Sequence, residues 1–396
     1  MRLLVALILL ASALSTLSAQ TITIAPAPVD RAALVVQAKV FRCTGDVLSA
    51  KDAAGHEYDL QADDDDTSTL VIGFLPANTP LSLKVATVAS TQPHAVKIGP
   101  GEDGLSLSID GKEVFNFRTD KTKKPRADIK DEILRAGYLH PVRSPSGAIV
   151  TGDYPSNHAH HHGIWTPLTK AVFQGRATDF WNMQSKKGEE QWHQGGRLWS
   201  GEVYGGFEAE MHMNDLSGPK PITALLDRWS VTAYAVSHTP KAMRVFDLTT
   251  TQTCATNDPL ELPEYHYGSF GLRGPDAWNG KEGARYLTSE GLSDRKQADG
   301  TRARWCYLGG KTEAGLSGTA VLGYPENFRF PMPVRLHPDM PYFSIVPQKL
   351  GAFSIQPGKP YVTRYRFVVT DGEPDAKLFD ACWNSLAYPA AVSVAK

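Results

Sequence analysis

Four of the chain's 12 histidines fall within five consecutive positions, in the stretch SNHAHHHGIW that spans residues 156–165. An imidazole near neutral pH can transfer a proton, hydrogen-bond a sugar hydroxyl or bind a metal ion. If the stretch is extended, His158, His160 and His162 lie on one face and His161 lies on the other. We therefore predict that His158 and His160 bind substrate or, alternatively, one divalent metal ion, and that His161 is catalytic. A solvated loop without chemistry is the remaining alternative.

A second candidate site lies in the segment LPEYHYGSFGLRG, residues 262–274. Glu264 and His266 are two positions apart, so both project from one face of a strand and the neighbouring tyrosines project from the other. A carboxylate and an imidazole on one wall can act as a general acid and base, so we predict that this pair is catalytic. Arg273 follows in a glycine-rich turn, and we predict that it binds an anionic or hydroxyl-rich group of the substrate. A structural hydrogen bond between Glu264 and His266 is the alternative.

A third candidate, FQGRATDFWNM at residues 173–183, combines polar and aromatic side chains. We predict that Arg176 and Asp179 bind substrate. Trp181, together with Trp165 from the histidine stretch, offers an aromatic face for the C–H face of a sugar ring. An aromatic cluster within the protein core is the alternative for the tryptophans.

A fourth segment, NFRFPMPVRLHPDMPYFS at residues 327–344, carries Arg335 and His337 among prolines and aromatic residues. This mixture indicates an ordered loop rather than a linker. We predict that Arg335 and His337 close a cleft and bind substrate, and a packed surface loop is the alternative.

The sequence lacks the signature motifs of several large enzyme classes. It contains no G-x-S-x-G elbow, no dinucleotide-binding G-x-G-x-x-G, no P-loop and no H-E-x-x-H, so the serine hydrolase, dehydrogenase, kinase and zincin classes lose most of their support. The net charge is −1, and lysines and arginines are dispersed. We therefore expect no nucleic-acid partner.

The first 19 residues have the pattern of a secretory signal peptide. A positive start, Met1-Arg2, precedes the apolar run from Leu3 to Leu10, and small residues lead to Ala19 before Gln20. The apolar run is shorter than the roughly 20 residues that a bilayer span needs. We expect a secreted or periplasmic protein with no membrane insertion after signal cleavage.

Short β-rich runs separated by Gly, Pro, Asn and Asp clusters occupy most of the remaining chain, which predicts an all-β fold. We expect a small N-terminal β-sandwich over residues 20–95. A large antiparallel unit over residues 96–375 is long enough for two large sheets. Residues 376–396 are expected to form a C-terminal helix and tail, because Pro374 can precede a short helix.

The four cysteines are Cys43, Cys254, Cys306 and Cys382. An even number in an exported protein is compatible with disulfides. No C-x-x-C spacing occurs, which disfavours a zinc knuckle. If any pair forms, we favour Cys254 with Cys306, since both lie in strand-like runs of the same region.

Several long motifs resemble the PmoA-like family of exported bacterial proteins of largely undefined function. They are YLHPVRSPSGAIVTGDYPSNHAHHHGIW, DFWNM, LPEYHYG, LTSEG, TRARWC and FRFPMPVRLHPDMPYF, and the resemblance covers about residues 96–372. It implies a fold similar to the galactose-mutarotase supersandwich and an open cleft that binds carbohydrate, with His and a carboxylate as catalysts. The family commonly has Arg where His162 stands. The methane monooxygenase subunit that the family label suggests needs several membrane spans, which this sequence lacks.

These observations predict an exported carbohydrate-active enzyme that cleaves or rearranges a glycoside, as a glycosidase, lyase or epimerase. A glycosidase generally needs two carboxylates about 5–9.5 Å apart, so the abundance of histidine favours lyase or epimerase chemistry or metal assistance. The expected partner is a carbohydrate substrate, and the cofactor is left open between none and a divalent metal ion. The alternatives are a glycan-binding protein without activity and a metal-binding protein that uses the histidine stretch.

Overall fold

The chain folds mainly into antiparallel β-sheets, and a computed structural model shows where they lie. Strands account for 50% of the residues and helices for 8%, so the all-β prediction is confirmed. The structure describes residues 20–41, 47–63, 66–88 and 95–395. The predicted signal peptide and Cys43 lie outside the described residues.

The strands are short in the N-terminal region and reach 13 residues in the middle of the chain. In chain order they are β1 Thr21–Ile24, β2 Arg31–Ala38, β3 Val47–Lys51, β4 Glu57–Ala62, β5 Ser68–Leu75, β6 Leu81–Val88, β7 Val96–Pro100, β8 Gly104–Ile109, β9 Lys112–Arg118, β10 Tyr138–Val142, β11 Ile164–Trp165, β12 Ala171–Phe173, β13 Arg176–Thr178, β14 Gly188–Trp199, β15 Tyr204–Asp215, β16 Ile222–Tyr234, β17 Met243–Cys254, β18 Leu260–Leu262, β19 Phe270–Arg273, β20 Ala284–Thr288, β21 Arg302–Ala303, β22 Trp305–Thr312, β23 Gly315–Gly323, β24 Met332–Leu336, β25 Tyr342–Ile345, β26 Phe353–Ile355, β27 Tyr361–Asp371 and β28 Val392–Ala395. The α-helices are α1 Arg295–Ala298 and α2 Ala376–Ala387, and 3-10 turns lie at Asp131–Ile133, Met183–Ser185, Asp276–Trp278 and Pro347–Leu350.

The N-terminal strands form a seven-stranded sheet in the order β2-β5-β4-β3-β6-β1-β28. Alternation in β1 directs Ile22 and Ile24 into an apolar core that also contains Leu34, Leu60 and Ile72. The last strand of the chain belongs to this sheet, because β28 pairs antiparallel with β1. The segment expected to be a C-terminal tail therefore completes the N-terminal sheet.

The larger unit consists of two extensive antiparallel sheets. One has nine strands in the order β21-β24-β25-β19-β11-β10-β9-β8-β7, and the other has eight in the order β14-β15-β16-β17-β27-β23-β22-β20. Their facing side chains share one core, in which the Phe115 and Phe246 rings lie 5.1 Å apart and the Phe270 and Phe367 rings lie 6.0 Å apart. A continuous apolar layer between two sheets is the arrangement of a β-sandwich.

Two smaller elements pack on this sandwich. A four-stranded sheet, β13-β12-β18-β26, shares an apolar cluster with Met213 and Leu225 of the eight-stranded sheet. Helix α2 places Phe379 against Trp305 and Tyr307 at ring distances of 5.3 and 5.5 Å. In the part of the chain that the structure describes, no helix has the length and apolar character of a membrane span.

Three cysteines are described, and all three are free thiols. Cys254 lies with its sulfur 3.2 Å from the Ile355 carbonyl oxygen. Cys306 is fully buried in the core between the two large sheets. The predicted Cys254–Cys306 disulfide is therefore wrong, because the two side chains belong to different apolar clusters.

The nine-stranded sheet brings distant loops together. β11 pairs with β19, and β19 pairs with β25, both antiparallel, so β11 and β25 run in the same direction. The histidine stretch before β11 and the loop before β25 therefore lie at the same end of the sheet. Gly163 allows the chain after the histidine stretch to lie close to β10, since a Cβ at this position would collide with the Leu139 carbonyl oxygen.

Candidate functional site

A cleft of about 250 Å³ lies where these loops meet. Histidines, aromatic rings and small polar groups from five separate segments form its wall. The lining residues are His158, His160, His161, Thr169, Trp181, Asn182, Tyr265, Tyr267, His337 and Met340. Three of the four clustered histidines and the predicted His337 are thus brought to one place.

The histidine stretch forms a turn rather than a strand. The His161 backbone N–H donates a hydrogen bond to the His158 carbonyl oxygen at 2.9 Å. This turn directs His158, His160 and His161 to the cleft and leaves His162 outside the lining. The predicted split, with His161 alone on the opposite face, is wrong because it assumed extended backbone.

The cleft histidines lie close together in a poorly solvated environment. The His160 and His161 ring centroids are 4.8 Å apart, and those of His158 and His337 are 6.2 Å apart. Burial, with a smaller contribution from neighbouring positive groups, lowers the pKa of His160 and of His337 to about 4. Burial also lowers the pKa of His158 and holds that of His161 well below its usual value. All four imidazoles are therefore neutral at pH 7 and can accept a proton.

The hydrogen bonds of His337 fix its tautomer. Its Nδ1 accepts hydrogen bonds from the backbone N–H groups of Asp339 and Met340 at 3.2 and 3.1 Å. The neutral ring consequently carries its proton on Nε2, which is a hydrogen-bond donor. By contrast, the Nδ1 atoms of His158 and His161 are buried without a hydrogen-bond partner. A buried polar atom of this kind is satisfied at little cost by a ligand.

His162 anchors the turn from behind. Its Nδ1–H donates to Asp153 Oδ1 at 2.8 Å, and Tyr138 Oη donates to the other carboxylate oxygen at 2.9 Å. Burial lowers the pKa of His162 to about 4 despite the neighbouring carboxylate. Burial alone would raise the pKa of Asp153, but the His162 hydrogen bond and nearby positive groups bring it below its usual value. This buried network orients the turn of the histidine stretch but does not itself contact the cleft.

The segment before β19 directs its tyrosines, and not Glu264 and His266, to the cleft. Glu264 and His266 are exposed and do not line the cleft, whereas Tyr265 and Tyr267 do. Two-residue alternation separates Glu264 and His266 from the tyrosines as predicted, but this pair faces solvent and does not form a wall of the cleft. An unpaired carboxylate stays in water because its desolvation is costly, and the tyrosine rings gain by burial. Sequence reasoning missed these two tyrosines, and their regular spacing was the signal that could have found them.

The two predicted tryptophans have different positions. Trp181 lines the cleft with only 5% of its surface exposed, and its ring lies 5.5 Å from that of His161. Trp165 is completely buried in β11, beneath the His161 ring at 5.6 Å. Trp165 therefore supports the cleft floor and cannot stack on a ligand, which corrects its predicted substrate-binding role.

Asp179 holds two lining residues in place without lining the cleft itself. One of its carboxylate oxygens accepts hydrogen bonds from Thr169 Oγ1 and Asn182 Nδ2, each at 2.9 Å. Arg176 lies elsewhere, on the four-stranded sheet, where its guanidinium pairs with Asp215 at 2.9 Å. The predicted substrate contact is therefore wrong for Arg176, and Asp179 becomes a positioning residue.

The two other predicted arginines also lie behind the lining. Arg273 is fully buried, and its Nη2 donates to Asn157 at 3.3 Å and to Asp276 at 3.0 Å. Arg335 Nη2 donates to Tyr267 Oη at 3.1 Å and so fixes that ring. Both arginines position the cleft loops instead of binding substrate directly, which corrects their predicted role.

Carboxylates and the one close group of potential metal ligands lie outside the described lining of the cleft. No Asp or Glu is found among the described residues that line the cleft. Within the described ranges, a single group of three or more His, Cys, Asp or Glu has ligand atoms within 4.8 Å of one another, and it lies on the eight-stranded sheet without any cleft residue. The prediction that His158 and His160 bind a metal ion stays a prediction.

Sequence comparison agrees with the extent of the larger unit. A family model described as a family of unknown function (DUF6807) matches residues 104–384, which include all the lining residues of the cleft. No curated protein matches the chain.

Proposed function

The chain belongs to the DUF6807 family of unknown function, and from its cleft we propose that it is an exported carbohydrate-active enzyme. One observation carries the proposal. Four neutral imidazoles and three aromatic rings from separate segments converge on one cleft. Export rests on the signal peptide that the sequence predicts for residues 1–19.

The lining favours a neutral, hydroxyl-rich ligand. No Asp, Glu, Lys or Arg occurs among the described lining residues, so a charged ligand would find no opposite charge there. Thr169, Asn182 and His337 offer hydrogen bonds, and the Tyr265 and Tyr267 rings offer apolar faces. The cleft is smaller than the roughly 300–1,000 Å³ of pockets for drug-sized ligands, so we expect one sugar unit to be enclosed.

The arrangement suits proton transfer by histidine. His161 is neutral and has a buried Nδ1 without a hydrogen-bond partner, so it is the proposed general base. His337 carries a donor Nε2–H and is the proposed acid. Epimerase chemistry would have His161 remove a proton from an acidified C–H group and His337 return a proton to that carbon. Lyase chemistry would begin with the same proton removal, and the bond to the leaving oxygen would break as His337 protonates that oxygen. A two-carboxylate hydrolysis has no support, because the described lining lacks carboxylates.

A glycan-binding protein without turnover is the second candidate. The described lining has no carboxylate, which favours this candidate, because binding a glycan without turnover needs only hydrogen bonds and aromatic contacts. Binding of a saccharide without any product would select this candidate.

The proposed activity is tested by incubating the purified chain with neutral mono- and oligosaccharides and analysing the products by NMR and mass spectrometry. We expect wild type to convert a member of the panel and His161→Gln to lower kcat by about 10²–10⁴-fold. His56→Gln is the matched control, because His56 is an exposed histidine that pairs with Asp52 in the N-terminal sheet. Equal turnover by His161→Gln and wild type would contradict the assignment of the base.

A further inference from the structure

A second group of potential metal ligands lies on the eight-stranded sheet. Glu210 and His212 are two positions apart on β15, and His193 lies on the neighbouring β14. The ligand atoms of these three side chains lie within 4.8 Å of one another. None of the three lines the histidine cleft, so this group is independent of the proposed function.

A β-bulge brings the three side chains to one face. Trp192 is opposite Met211 and Gln194 is opposite Glu210, and the register shifts between the two pairs. His193 is the extra residue of β14 at this shift. Alternation along β15 directs Met211 into the core and leaves Glu210 and His212 on the outer face, which the bulged His193 joins.

The contacts within the group already hold two of its ligand atoms together. His212 Nε2 lies 3.1 Å from Glu210 Oε1, and the His193 and His212 rings stack at 3.7 Å. Arg228 Nε donates to the other oxygen of Glu210 at 2.7 Å and fixes the carboxylate. The His193 side chain is exposed and makes no hydrogen bond within the described residues, so no hydrogen bond holds it against rotation toward a shared ion.

We propose that His193, Glu210 and His212 bind a first-row transition metal ion of the zinc class. Two imidazole nitrogens and one carboxylate oxygen are a donor set that zinc prefers, with bonds of about 2.0–2.2 Å and one position left for water or a ligand. The three ligand atoms lie within 4.8 Å of one another, and the exposed His193 side chain is the one whose rotation is proposed to bring them onto a shared ion. Glu210 also lines a groove of about 340 Å³, together with Gln194, Glu208 and Arg228, so this ligand borders a space that a small molecule can enter.

The test is a calorimetric titration of the full, tag-free chain with Zn²⁺ after removal of metals by a chelator, followed by elemental analysis. We expect one zinc per wild-type chain. His193→Gln and His212→Gln are expected to weaken binding at least tenfold, since groups that only orient a metal ligand are already worth about 10–100-fold. The matched controls His161→Gln, in the cleft, and His56→Gln, in the N-terminal sheet, are expected to keep wild-type affinity. Circular dichroism verifies the fold of each variant.

Several results would overturn the proposal. A wild-type chain that binds no stoichiometric zinc would do so. Unchanged zinc affinity in His193→Gln would also overturn the proposal. This variant remains decisive if His212→Gln fails to fold, because the His193 side chain is exposed and lacks hydrogen bonds. Zinc that is lost only in His158→Gln or His160→Gln would assign the metal to the cleft and reject this site.

Discussion

The histidines of residues 158–162 make the stability of the protein depend on pH. Their pKa values are lowered by burial in the folded chain, to about 4 for His160 and His162, whereas a histidine in the unfolded chain titrates near 6.5. Between these values the unfolded chain binds protons that the folded chain does not. The stability that these neutral histidines contribute is therefore fully present above about pH 6.5, and it is lost as the pH falls toward 4.

We predict that the free energy of unfolding falls by at least ~2 kcal/mol between pH 7.5 and 5.5. A buried histidine that stays neutral at both pH values contributes about 1 kcal/mol over this interval, and His161 and His162 are both buried. Urea denaturation at the two pH values measures the difference, with His56→Gln as a control that keeps the wild-type dependence. Equal unfolding free energies at both pH values would contradict the buried, neutral state of these side chains.

A buried ion pair behind the cleft has a separate consequence. The guanidinium of Arg135 contacts the carboxylate of Glu190, and both side chains are inaccessible to solvent. We predict that Glu190→Ala lowers the free energy of unfolding by about 3–5 kcal/mol, because it leaves a buried charge without a partner. Denaturant unfolding measures this loss.

Glu113→Ala is the matched control for that variant. Glu113 pairs with Arg143 at 2.7 Å, with about a third of each side chain exposed. A partly exposed pair is worth about 0–1 kcal/mol. A loss of the same size in both variants would contradict the distinction between the buried and the exposed pair.

The composition of the cleft could be predicted from the sequence better than its geometry. The histidines and Trp181 were recognised by residue type. The turn at His158 could not be predicted, because backbone hydrogen bonds within residues 154–161 decide which imidazoles face together. The exposure of Glu264 and His266 depends on which side of the segment meets the protein interior, and two-residue alternation does not specify that.

Among the elements, helix α2 begins with a side-chain cap that can be tested. The Asp375 carboxylate accepts a hydrogen bond from the Leu378 backbone N–H at 3.1 Å. We predict that Asp375→Ala lowers the free energy of unfolding by about 1 kcal/mol, whereas Asp375→Asn retains most of the cap. Thermal denaturation of the three proteins checks this, and identical melting temperatures would contradict the role of the cap.

Longer elements were predictable and the shortest were not. The alternation in VTRYRFVV indicates the strand that the structure shows as β27, and the C-terminal helix follows Pro374 as expected. β11 has only two residues, too few for any period to appear in the sequence. Its position is set by pairing with β10 and β19, which is a tertiary effect.

At the scale of the whole molecule, the two ends of the chain form one sheet. β28 pairs with β1 from Thr21 opposite Ala395 to Ile24 opposite Val392, and Val392 and Val394 pack on the N-terminal core. Such a contact joins residues more than 360 positions apart, so local patterns cannot indicate it.

We predict that removing the residues after Pro389 destabilises the N-terminal sheet by about 2 kcal/mol, through loss of the two valine contacts. β1 would also become an unpaired edge. Limited proteolysis is expected to cut residues 20–88 faster in the truncated chain. Ser393→Ala is the control, because that side chain is exposed on β28. Unchanged proteolysis of the truncated chain would contradict a stabilising role for the C-terminal strand.

Isothermal titration of the chain with neutral saccharides tests the carbohydrate cleft most directly. Tyr265 lines the cleft with a partly exposed ring, so Tyr265→Ala removes an aromatic face without disturbing the histidine turn. We predict that wild type binds at least one saccharide and that Tyr265→Ala weakens this binding at least tenfold, or by about 1.4 kcal/mol. A folded wild-type chain that binds no saccharide, or equal affinity in Tyr265→Ala, would contradict the assignment of the cleft.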